Sequence, residues 1–95
     1  MTFKVEIGEP AASFVRRLSP EPRRAVKKAL KALCTESGDI RSLEQELAGY
    51  CRVRVGKYRI IFRYRNEDTI EVLFIEERSI VYEVFAEQFI RRLKS

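Results

Sequence analysis

Arg52, Arg54, Lys57, Arg59, Arg63 and Arg65 fall within one short run, GYCRVRVGKYRIIFRYR from Gly49 to Arg65, that holds no carboxylate. Arginine keeps its proton, so it is a poor acid or base. It is a good fork for phosphate and a good stabiliser of charge building on a phosphorus centre. Alternation sets where these side chains point. Cys51, Val53 and Val55 share one face, and Tyr50, Arg52 and Arg54 the other; beyond Gly56-Lys57, Tyr58, Ile60, Phe62 and Tyr64 oppose Arg59, Ile61, Arg63 and Arg65. Gly56-Lys57 reads as a two-residue hairpin loop. With Val55 opposite Tyr58, Arg54 faces Arg59 and Arg52 faces Ile61. Two arginines directly opposed destabilise an isolated sheet. Two readings stand: a solvated basic face that binds acidic surfaces without chemistry, or a phosphate site made by Arg52, Arg54 and Arg59.

Proton transfer needs other groups. Histidine is absent, which removes the commonest general base and the commonest metal ligand. Glu76 and Glu77 are carboxylates near the end of the next strand, and either is a candidate base or simply surface charge. Tyr82 follows Arg78 by four residues, where it can stack on a base, donate its hydroxyl, or pack on the sheet edge. Tyr50 is a second aromatic on the arginine face. Cys34 and Cys51 are expected to be small buried hydrophobes rather than a disulfide. No metal or cofactor is expected.

The elements that must position these groups follow from the rest of the chain. Its 95 residues suit a single domain, 1–95, with one modest core. The net charge of +5 favours a polyanionic partner. No apolar run nears the ~20 residues that span a bilayer, and the start, MTFKVEIGEP, lacks a signal-like architecture, so a cytoplasmic protein is expected. Residues 2–7 alternate as a strand. Gly8-Glu9-Pro10 opens a helix with the stripe Ala11, Phe14, Val15, Leu18. Ser19-Pro20 starts a second helix running to about Thr35, apolar along Val26, Ala29, Leu30, Leu33 and Cys34 and basic along Arg23, Arg24, Lys27, Lys28 and Lys31. Residues 40–48 connect, with Leu43 and Leu47 anchoring a short turn of helix to the core.

The basic hairpin follows, then TIEVLFI from Thr69 to Ile75, apolar enough to be covered on both faces. With Arg65 opposite Thr69, Arg63 faces Glu71 as an ion pair and Arg59 lies beside Ile75, with no acid in register. A last helix is expected from about Val81 to Leu93, with Phe85, Phe89 and Leu93 on one stripe. The class is α+β: strand, two-helix hairpin, three-stranded antiparallel meander and C-terminal helix.

The segments LAGYCRVRVGKYRIIFRY and TIEVLFIEERSIVY resemble the RelE/ParE superfamily of type II toxins. The pattern there is L-x-G-x-x-R-x-R-x-G-x-Y-R-h-h-Y, an apolar strand, then h-G-H-R-x-x-V-Y. The resemblance implies a RelE-like fold and a toxin neutralised by a cognate antitoxin in a hetero-oligomer. For RelE-like members it implies cleavage of mRNA in the ribosomal A site, by attack of a ribose 2′-hydroxyl on the adjacent phosphate. Arg52, Arg54, Arg59, Arg78 and Tyr82 match the catalytic positions, with Tyr50 and Lys57 as RNA-binding candidates. Arg52 and Arg54 stand where some members have lysine, which can shift its pKa in a way arginine cannot. Glu77 stands where many have histidine and Glu76 where they have glycine, so Glu77, Tyr82 or solvent must take the proton. A ParE-like, non-enzymatic gyrase inhibitor and a catalytically silent antitoxin-binding member are the alternatives.

Overall fold

A computed structural model describes residues 2–77 of the chain. The expected helix over 81–93, Arg78 and Tyr82 lie outside the described residues. The order is β1 (Lys4–Ile7), α1 (Glu9–Arg17), α2 (Pro20–Ala32), a 3-10 turn (Leu33–Thr35), β2 (Asp39–Ser42), a second 3-10 turn (Gln45–Leu47), β3 (Cys51–Val55), β4 (Tyr58–Tyr64) and β5 (Thr69–Glu77). The strands form one sheet in the order β1-β5-β4-β3-β2. β1 runs parallel to β5 and every other neighbour is antiparallel. The class is α+β as expected, but the sheet has five strands where the sequence reading placed four.

The helices cover one face. Ala11 and Val15 of α1 and Val26 and Leu30 of α2 are buried against Val53, Ile60, Phe62, Ile70 and Val72. Both helices begin at proline-bearing first turns, where a missing N–H leaves no hydrogen bond unmade. Arg23 ties the pair together: its Nη2 donates to the carbonyls of Leu18 at 2.7 Å and Arg16 at 3.1 Å, groups left over at the end of α1.

The hairpin register is the expected one, with Val55 opposite Tyr58, Arg54 opposite Arg59 and Arg52 opposite Ile61. Gly56 turns the chain at φ 57, a left-handed conformation that costs glycine little. The β4–β5 register starts as expected, with Arg63 opposite Glu71, but then slips. Ile61 pairs with Phe74 while Phe62 pairs with Val72, so Leu73 is an extra residue on β5. Such a bulge shifts every later residue by one place, and with a side-chain period of two that moves each to the other face. Arg59 therefore stands beside Glu76 and not beside Ile75. The absence of an acid in register with Arg59 is corrected on this point.

β2 was read as part of a connection. It pairs with β3 through Asp39↔Arg54, Ile40↔Val53, Arg41↔Arg52 and Ser42↔Cys51. The chain then folds back over the helix-free face. Leu43, Leu47, Ile61 and Phe74 make a second small core there, with Tyr50 and Leu73 against it. The expected anchoring of Leu43 and Leu47 is observed, and it covers the middle of the arginine face.

Candidate functional site

Directly opposed residues on neighbouring strands share a face, so the sheet registers define rows across the helix-free side. The row nearest the hairpin turn is Asp39 on β2, Arg54 on β3, Arg59 on β4 and Glu76 on β5. Strands lie about 4.8 Å apart, so the row spans roughly 14 Å. It reads acid, base, base, acid. The like-charge pair Arg54–Arg59 is thus flanked on both sides by carboxylate positions. The next row is Arg41, Arg52, Ile61 and Phe74, and its apolar half is covered by Leu43 and Leu47.

The three arginines expected to act together do share this face, but their environments differ. Arg52 is 9% exposed. Its Nη1 donates to the Asp39 carbonyl at 2.9 Å and lies 3.4 Å from Asp39 Oδ2. Its length spans from β3 to the start of the edge strand β2, where it satisfies a carbonyl that the sequence reading did not assign to it. Arg54 is exposed and makes no hydrogen bond or ion pair among the described residues. Arg59 is half-buried. Arg54 and Arg59 are therefore the opposed pair that presents charge on this face.

The far end of the face is closed by ion pairs. Arg63 Nε meets Glu71 Oε1 at 2.7 Å, and Arg65 Nη1 meets Glu6 Oε1 at 2.6 Å. Glu71 holds the Arg63 guanidinium above the ordinary arginine range, and the Arg65 hydrogen bond holds the Glu6 carboxyl below the usual carboxylate range. Arg63 also sits 5.9 Å from the centroid of the Tyr50 ring. Tyr50, the expected stacking platform, is thus occupied at this end. Arg63 lies four residues along β4 from Arg59, roughly 13 Å away.

Lys57 and Glu77 are joined to each other. Lys57 Nζ lies 3.0 Å from Glu77 Oε1, and this contact raises the lysine above its ordinary value. Glu77 is opposite Tyr58, whose side chain belongs to the helix-side core. The Leu73 bulge has put Glu77 on that side of the sheet and Glu76 on the arginine side. A cleft of about 420 Å³ opens beside them, lined by Phe14, Arg17, Leu18, Tyr58, Glu76 and Glu77.

Asp39 is the residue at this site that sequence reasoning missed, and no signal pointed to it because β2 itself was unrecognised. Among the described residues no three His, Cys, Asp or Glu side chains converge as metal ligands, and no helix is long and apolar enough to cross a membrane. Cys34 and Cys51 are free thiols, and burial pushes the Cys51 thiol up.

Residues 9–82 match the family described as the ParE toxin of type II toxin–antitoxin systems, parDE. No curated protein sequence matches. Solved structures do. The RelBE2 toxin–antitoxin complex of Mycobacterium tuberculosis includes a chain that is 27% identical, with 82% of this chain and 100% of that chain covered and a TM-score of 0.73. The archaeal RelE–RelB complex of Pyrococcus horikoshii gives 23% identity, 85% and 100% coverage and a TM-score of 0.66. A free RelE toxin variant of E. coli shares the fold at 17% identity, with 96% and 98% coverage and a TM-score of 0.70.

Proposed function

Because the chain belongs to the ParE toxin family of type II toxin–antitoxin systems, and so to the RelE/ParE superfamily, we propose that it is held silent by a cognate antitoxin and, when released, cuts mRNA in the ribosomal A site. The observation that carries the nuclease reading is the opposed pair Arg54–Arg59 at the centre of a four-strand row. Two guanidinium forks one strand apart suit the non-bridging oxygens of one phosphodiester. They would stabilise the charge that develops on phosphorus as a ribose 2′-hydroxyl attacks. Arg78 and Tyr82 join this reading on the resemblance alone. Arg78 is the proposed third cation and Tyr82 the proposed aromatic partner of the reacting nucleotide. Arg52 fits a supporting role better than a direct one, because it is buried and bonded to Asp39.

The relatives solved as toxin–antitoxin complexes support a protein antitoxin as the partner. An acidic antitoxin segment laid along the Arg54–Arg59 pair would occupy the place of the RNA phosphate. Inducible expression tests the reading. Cuts inside codons, lost in Arg59→Ala at unchanged melting temperature, are expected. Stalled replication and double-strand breaks with intact messenger would refute it. That outcome belongs to the second reading, a non-enzymatic gyrase inhibitor, which two observations favour: the matched family is that of ParE, and Arg52 is committed to Asp39.

A further inference from the structure

The arginines of the row cannot accept a proton, so the proposed cleavage needs a base that the same face supplies. We propose that Glu76 is that base, an assignment that rests on the ribonuclease reading above. The sequence offers two adjacent carboxylates, and the resemblance favours Glu77, which stands where relatives have histidine. The sheet favours the other. The extra residue at Leu73 leaves Phe74 opposite Ile61 and Glu76 opposite Arg59, both pairs on the helix-free face. Glu77 is opposite Tyr58, on the helix-covered side, and its carboxylate is 3.0 Å from Lys57 Nζ. A base that must reach a nucleotide seated on Arg54 and Arg59 has to stand on their face, and at the end of β5 that is Glu76.

The spacing suits the step. Arg54, Arg59 and Glu76 occupy successive strands about 4.8 Å apart. With its phosphate held between the two guanidiniums and its ribose over β5, a nucleotide would turn its 2′-hydroxyl toward Glu76. The carboxylate takes the 2′-hydroxyl proton as the O2′–P bond forms. The P–O5′ bond then breaks, and the 5′-oxygen takes a proton from water. Glu76 releases its proton to the hydroxide left behind, so the cycle balances. The products are a 2′,3′-cyclic phosphate and a 5′-hydroxyl. Among the described residues, the charged groups near Glu76 include Arg59 in register on β4, Arg54 beyond it on β3, and Arg17 of α1 and Glu77, which line the same cleft.

The test uses the purified full chain on ribosomes programmed with a messenger, with single-turnover cleavage followed against pH. Glu76→Gln is expected to slow cleavage by about a hundredfold or more, the range for losing a positioned general base. It should also abolish the acidic limb of the wild-type pH profile, while Glu76→Asp restores part of the rate and that limb. The melting temperature of each variant separates lost chemistry from lost fold. Wild-type cleavage with an unaltered Glu76→Gln profile would overturn the assignment. So would loss of the acidic limb in Glu77→Gln but not in Glu76→Gln. A wild-type chain that leaves the messenger intact would instead remove the ribonuclease reading, and this assignment with it.

Discussion

Replacing Arg52 should damage the fold, and replacing Arg54, two residues away on the same face, should not. Arg52 is 9% exposed and donates to the Asp39 carbonyl at 2.9 Å, with the Asp39 carboxylate 3.4 Å away. Methionine would keep much of the buried stem, so Arg52→Met removes chiefly the charged hydrogen bond. Such bonds contribute about 1.5–3 kcal/mol. Asp39 lies on an edge strand that water can reach, which places the expected loss near the lower part of that range, about 2 kcal/mol. For a domain of this size each kcal/mol shifts the melting temperature by roughly 4–8 °C, so a fall of about 8–16 °C is expected. Arg54 is exposed and has no partner among the described residues. Arg54→Met should stay within about 0.5 kcal/mol, the usual range for a surface change. Thermal unfolding of both variants gives the comparison, and amide exchange of residues 39–42 shows whether β2 has detached. Equal melting temperatures would refute the reasoning. So would an Arg52→Met chain of full stability and no toxicity, since Arg52 would then act as a cation on substrate and not as a strut between strands.

Three further outcomes follow from geometry. A double-mutant cycle on Arg63 and Glu71 should give a coupling of about 0.5–1 kcal/mol that shrinks in high salt, because the pair meets at 2.7 Å but is partly exposed; a salt-independent coupling would contradict that. Tyr64 is pushed up to about 12 by burial and by its hydrogen bond to Glu36. A raised folded value means that the stabilisation is complete below the ordinary tyrosine value of 10.0 and declines as pH rises toward 12. An absorbance titration should therefore find the Tyr64 phenol ionising late, and Glu36→Gln should move it down. Gly38→Ala should destabilise by roughly 1–3 kcal/mol, since φ is +125 and the new Cβ would lie 3.1 Å from Val53 Cγ2; an unchanged denaturation midpoint would show that this turn relaxes freely.

Strict alternation made the hairpin legible. Every second residue from Cys51 to Tyr64 differs in polarity from its neighbours, apart from Ile61, so the register followed from the Gly56-Lys57 turn alone. The helices were legible from stripes such as Ala11, Phe14, Val15 and Leu18 and from their proline starts. β2 was not. Asp39-Ile40-Arg41-Ser42 has a single apolar residue, because an edge strand buries little, and its pairing with β3 is a tertiary fact. The slip at Leu73 was hidden for a different reason. Val72, Leu73, Phe74 and Ile75 are all apolar, so no polar residue marks which side each one takes. The carboxylates at the end of β5 were seen at once, and which of them serves the arginine face was beyond reach without the slip.

Leu73 also matters for comparing this chain with its relatives. A bulge is a phase change: beyond it, residues counted along the chain face opposite to where unbroken alternation would put them. A relative without the bulge, aligned residue for residue from the start of β5, would present the counterpart of Glu77 on the face where this chain presents Glu76. Gain or loss of the bulge at constant strand length therefore exchanges the chemistry on the two sides of the sheet with no substitution at all. Correspondence of functional residues in this part of the family is then set by counting ladder partners from β4, and not by matching motif positions along the chain.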